Sequence, residues 1–201
     1  MKLLLKAASY IFHPLWTPFI GSLLYFMLTP RFFPYGVIKA KLLAIAIITL
    51  FIPIVFYFLL KNLGKAESIF LKNVGERKWP LFFFILLIVM VLKQILNVYN
   101  YPALYYYFIG ILGSTMLSYL FALFKQKISL HMVGLTGLTV FIIAMSSFYR
   151  LNLIYSISFL ILALGLTASS RLSYRAHTYQ ELILGFLIGL LPQIIVLKFW
   201  L

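Results

Sequence analysis

Apolar runs of seventeen or more residues recur along this chain, and that repetition limits its fold more than any other feature. A helix of about 20 residues spans the roughly 30 Å hydrocarbon core of a bilayer. Seven candidate spans can be drawn: Ala7–Leu28, Leu42–Leu60, Pro80–Val98, Ala103–Phe124, Met132–Phe148, Asn152–Ser169 and Leu182–Leu201. In lipid the backbone must satisfy its own hydrogen bonds, which a helix does within one segment. The expected fold class is therefore all-α, a polytopic membrane bundle of six to seven transmembrane helices. Pro14 and Pro18 make the first span a candidate for a kinked or re-entrant segment. One integral membrane domain over residues 1–201 is the simplest organisation, with two N-terminal spans in 1–60 and the remainder in 61–201.

Composition excludes the soluble alternative. With 64% hydrophobic and 10% charged residues, too little polar surface remains to cover a soluble domain. The charge is one-sided: 17 Lys and Arg face three acids, Glu67, Glu76 and Glu181, for a net charge of +14. Most of these cations suit headgroup anchoring, so membrane lipids are the expected partners and nucleic acid is not. The absence of cysteine rules out disulfides and thiolate ligation. Three His and three Glu supply a dedicated metal site poorly, and neither metal nor other cofactor is expected. Lys6, His13 and the two prolines interrupt the N-terminal apolar run, which reads as an uncleaved span rather than a signal peptide.

The ionisable residues are not scattered. Ser170 to Glu181 packs Arg171, Arg175, His177 and Glu181 between two apolar runs, and ionisable groups beside a bilayer core mark functional sites. If helical from about Ala176, this segment stacks His177 and Glu181 as i, i+4 neighbours, a carboxylate orienting an imidazole. Crossings can be counted from there. Spans three and four leave and return, as do spans five and six. The Lys61–Trp79 loop, Lys125–His131 and Ser170–Glu181 thus share one membrane face. Cations and hydroxyls there could cradle an oxyanion while one imidazole attacks phosphorus and another protonates the leaving oxygen. Glu181, Gly185 and Gly189 also form a small-residue stripe that lets another helix approach. His13 is read as a structural polar contact, with a supporting role open. Lys125 and Lys127 are read as headgroup anchors, and Gln193 as an interhelical hydrogen bond.

These three segments, in this order, resemble the signature motifs of the type 2 phosphatidic acid phosphatase superfamily. The third motif of that family reads Ser-Arg, five residues, His, three residues, Asp. Here it is Ser170-Arg171, five residues, His177, three residues, Glu181. Its Pro-Ser-Gly-His is matched by Ile128-Ser129-Leu130-His131, and its Lys, six residues, Arg-Pro by Lys72, six residues, Trp79-Pro80. The resemblance implies His177 as nucleophile, Glu181 as its orienting carboxylate and His131 as general acid. Lys72, Ser129, Ser170 and Arg171 would be phosphate ligands, with Arg77 standing two positions before the expected arginine. It further implies metal-independent hydrolysis of a lipid-linked phosphate or diphosphate through a phosphohistidine. Glu in place of Asp adds a methylene, so His177 is expected to shift or the helix to rotate. A membrane-embedded relative that binds without hydrolysis is the alternative, and a transporter a weaker one, since no inverted repeat is seen. Lys and Arg are more numerous on the site face, which favours the cytoplasm. Bacterial members usually face outward, so the expectation is a bacterial inner membrane with the site on its periplasmic face. Nothing in the sequence bears on oligomeric state.

Overall fold

The computed structural model describes residues 2–67 and 73–201, and among these every regular element is helical. Helix α1 (Lys2–Ile11) meets α2 (Trp16–Leu28) at a 69° bend. The bend falls at His13-Pro14, where proline withholds a backbone donor, and Thr17 Oγ1 caps the Pro14 carbonyl at 2.8 Å. The first expected span is thus a broken one.

Helices α3 (Tyr35–Ala46) and α4 (Ile52–Asn62) run on through a π-helical turn at Ile47–Phe51, forming one stretch of 28 residues. Pro53 cannot donate to the preceding turn, and the wide π turn absorbs that loss. A 3₁₀ turn (Val74–Arg77) leads into α5 (Lys78–Met90), which ends in a second π turn at Val91–Ile95. Then come α6 (Pro102–Leu123), α7 (Leu130–Phe148), α8 (Ile154–Ser173) and α9 (Tyr179–Leu197). Six of these stretches are long and apolar enough to cross a bilayer, or seven if the bent pair counts as one span. The protein is a polytopic α-helical membrane bundle.

Helix α7 lies at its centre. In its apolar stretch 67% of residues are buried, against at most 39% in the other spans. Small residues make that position possible. A Cβ on Gly185 would lie 2.5 Å from the Ser129 carbonyl oxygen, and one on Gly189 only 2.4 Å from that of Val133. The glycine stripe of α9 therefore seats the backbone of α7, and no larger residue fits without parting the two. One turn further along the same stripe, Gln193 donates to the Tyr107 carbonyl of α6 at 3.0 Å, as expected of an interhelical bond. Tyr107 in turn donates to the Thr17 carbonyl at 2.8 Å and stacks on Phe141, tying α6 to α2 and α7.

The helix ends share one device. After α4, α6, α7 and α8 the chain turns through left-handed backbone at Gly64, Lys125, Arg150 and Arg175. Each turn closes with the paired 6→1 and 5→2 hydrogen bonds of a Schellman motif, such as Ala176 N–H to Arg171 C=O and Arg175 N–H to Leu172 C=O. Three of the four use a long cation where glycine would be relaxed.

Candidate active site

Helix α8 does not stop at Ser169 but continues through Ser173, so Ser170 and Arg171 belong to its last turn rather than to the connector. The Schellman turn then doubles the chain back. The Arg171 carbonyl accepts from both Ala176 and His177 N–H, at 2.9 and 3.3 Å, which returns His177 to the end of α8.

Helix α9 begins at Tyr179, later than the expected start near Ala176. His177 and Glu181 are consequently not neighbours along a helix face. Thr178 is the N-cap: its Oγ1 accepts from Glu181 N–H at 3.3 Å, and Glu181 Oε2 reaches back to Thr178 N–H at 3.4 Å. The same Oε2 accepts from His177 Nδ1 at 2.6 Å. This capping box explains the glutamate. The third helical position needs a side chain long enough to reach back over the first turn, and aspartate is one methylene short. His177 accommodates the extra length by standing in front of the cap instead of by a rotation of α9.

The loop before α7 is drawn to the same place. Ser129 N–H donates to the Glu181 carbonyl at 3.1 Å, and Lys127 Nζ to the Ala176 carbonyl at 2.8 Å. Lys127, expected as a headgroup anchor, is a half-buried tie between the second and third segments. From the first segment, Arg77 is 4% exposed and donates Nη1 to the Ile128 carbonyl at 2.7 Å. Glu76 turns the other way, to Asn73 Nδ2 at 2.7 Å and Glu67 N–H at 3.4 Å. Trp79, where the resemblance expects an arginine, is 55% exposed with Lys65 Nζ over its ring. Arg77 is therefore the guanidinium that this segment contributes. Lys72 lies outside the described residues.

These contacts surround a cavity of 540 Å³ whose walls include His13, Arg77, Leu130, His131, Arg171 and His177. Leu50, Ile54, Phe58, Leu81, Phe84 and Ile111 line it further along, so a polar end adjoins an apolar body. The volume suits a small organic ligand. The hydroxyls expected as ligands do not reach it. Ser129 is fully buried outside the cavity wall, its Oγ without a hydrogen-bond partner among the described residues. Ser170 Oγ donates to the Leu5 carbonyl at 2.5 Å and lies 2.7 Å from Ser9 Oγ. Ser9 Oγ also accepts from Arg171 Nη1 at 3.2 Å, making Ser170 a second support behind that guanidinium.

The tautomers follow from the acceptors. A carbonyl can only accept, so His131 places the proton on Nε2 and gives it to the Ser9 carbonyl at 3.1 Å. His177 gives its Nδ1 proton to Glu181, leaving Nε2 with a lone pair. Burial lowers the His177 pKa from 6.5 to about 4. The Glu181 hydrogen bond opposes that fall, while Arg77 and Lys127 add to it. At neutral pH the ring is an uncharged nucleophile or base. Two buried arginines against one hydrogen-bonded carboxylate leave the polar end in surplus positive charge, a surplus that a bound oxyanion would offset.

One contributor from the N-terminal segment, Ser9, was not assigned from sequence, since it carries no motif. His13, read from sequence as a structural polar contact with a supporting role open, lines the cavity. Comparison with family models, curated proteins and solved structures gives no match to this chain.

Proposed function

We propose that this cavity transfers a phosphoryl group from a lipid-borne phosphate or diphosphate to water, in the manner of the type 2 phosphatidic acid phosphatases. The observation that carries the reading is one cavity bringing the His177–Glu181 pair, His131, Arg77 and Arg171 to its polar end. Its apolar remainder suits the acyl or prenyl tail of an amphiphile.

In this mechanism Arg77 and Arg171 bind the phosphoryl oxygens and offset their charge. His177 Nε2 attacks phosphorus, forming a P–N bond as the bond to the leaving oxygen breaks. Glu181 holds the Nδ1 proton and stabilises the positive charge developing on the ring. His131 in its imidazolium form gives its Nδ1 proton to the leaving oxygen, while its Nε2–H stays on the Ser9 carbonyl. Water then attacks the phosphohistidine, losing its proton to His131. Inorganic phosphate leaves and both rings return to their starting states.

The test is phosphate release from detergent-solubilised protein on phosphatidic acid, phosphatidylglycerophosphate and isoprenyl diphosphates. Turnover should persist in chelator, fall with vanadate, and disappear in His177→Ala and His131→Ala. An inactive wild type, or an unimpaired His177→Ala, sinks the reading. Ser129 and Ser170, which do not line the cavity, favour a second reading in which the chain binds lipid phosphates without cleaving them. That reading predicts binding with no release. We place the site on the periplasmic face of a bacterial inner membrane. Labelling of single cysteines at Lys127 and Arg150 by an impermeant maleimide tests this, and labelling of position 150 alone would reverse the assignment.

A further inference from the structure

Beyond the two imidazoles used above, the cavity contains a third. His13 occupies the break between α1 and α2 and lines the polar end with His131, Arg171 and His177. Its ring lies edge-on to that of His131, with centroids 5.3 Å apart and planes at 80°. Two features hold it there. The 69° bend turns the chain at this residue, and α7 approaches the bend closely. A Cβ on Gly134 would come within 3.3 Å of Pro14 Cα.

The tautomer of His13 is set differently from those of its neighbours. Its Nδ1 accepts from Leu15 N–H at 3.3 Å, so Nδ1 carries the lone pair and Nε2 the proton. Protonating Nδ1 would break that turn. While the turn persists, His13 can neither attack phosphorus through Nδ1 nor become an imidazolium; it can only donate from Nε2. His177 and His131, by contrast, commit their protonated nitrogens to Glu181 and Ser9.

We propose that His13 is a further binding residue of the site, a neutral imidazole whose Nε2–H donates a hydrogen bond to a phosphoryl oxygen. This rests on the phosphate-site reading above and adds a ligand to it. Such a donor adds to a polar end that the hydroxyls of Ser129 and Ser170 do not line, the latter being bonded to the Leu5 carbonyl. A neutral donor contributes directional binding without adding a third cation to the arginines.

Glutamine places an amide N–H near the position of Nε2, whereas phenylalanine keeps the ring and removes the donor. Orthovanadate and inorganic phosphate binding to the solubilised full chain would be measured by calorimetry for wild type, His13→Gln and His13→Phe. The expected result is a loss of roughly 10-fold or more in His13→Phe, with His13→Gln within a few-fold of wild type. Unchanged binding in His13→Phe overturns the assignment, and so does an equal loss in both variants, which would make His13 a packing residue. If wild type binds neither anion, the phosphate-site reading fails and this one with it. Should His13→Phe not fold, ¹⁵N-histidine NMR of wild type decides. The His13 Nε2–H resonance should move downfield as phosphate is added, and a stationary resonance overturns the proposal.

Discussion

The capping box makes Glu181→Asp the most informative substitution in the chain. The family resemblance, taken alone, expects aspartate to be at least as good as glutamate. The geometry expects the reverse. Glu181 Oε2 lies 2.6 Å from His177 Nδ1 and 3.4 Å from Thr178 N–H, and removing one methylene withdraws the carboxylate by about 1.5 Å. Both contacts then exceed hydrogen-bonding distance unless the backbone moves. A hydrogen bond to a charged group is worth about 1.5–3 kcal/mol, so kcat/KM for phosphate release should fall roughly 10- to 150-fold. Glu181→Gln keeps the reach but not the charge and should fall within the same range. It carries a second signature. In the proposed mechanism, protonating His177 removes the nucleophile, so the acid limb of the rate profile falls as pH drops through about 4. The carboxylate favours the imidazolium. Its loss lowers that pKa further and shifts the acid limb to lower pH. Initial rates from pH 3.5 to 8 on a phosphatidic acid mixed micelle test both points. A Glu181→Asp protein as fast as wild type would refute the capping-box account of how His177 is positioned.

The other predictions concern the parts that hold or mimic the site. Gly185→Ala or Gly189→Ala drives a methyl into the α7 backbone and should lower stability by about 1–3 kcal/mol, seen as a drop in Tm in detergent with loss of activity. Unaltered Tm in both would show that α7 and α9 are further apart than described. Arg77→Ala should lower kcat/KM at least 10-fold, whereas Trp79→Arg should bring no gain, because that side chain points away from the cavity. Faster phosphate release by Trp79→Arg would contradict the assignment of Arg77. Arg150→Gly relieves left-handed strain at an exposed turn and should add about 1 kcal/mol of stability, measured by chemical denaturation in mixed micelles.

Much of this protein was legible in one dimension, and the reason is the solvent. A bilayer forces long apolar helices, so the spans, the broken first segment at Pro14 and the small-residue face of α9 could all be read from residue type and spacing. Parity of crossings was enough to bring Arg77, His131, Arg171 and His177 to one face. The local geometry lay beyond such reading. Whether His177 meets Glu181 along a helix or across a cap depends on where α9 starts, and Thr178 decides that by hydrogen bonds no periodicity encodes. The outward turn of Trp79, the inward turn of Arg77 and the seating of Ser129 and Ser170 away from the cavity are packing outcomes. The contributions of Ser9 and His13 are more distant still. Their partners lie 122 and more positions away for Ser9, and only the folding of α1 against α8 and of the bend against α7 brings them within reach. Residue type and spacing determined the bundle and the face that bears its charges; the tertiary structure decided which of those groups meet the cavity, because that depends on interhelical contacts a few ångströms long.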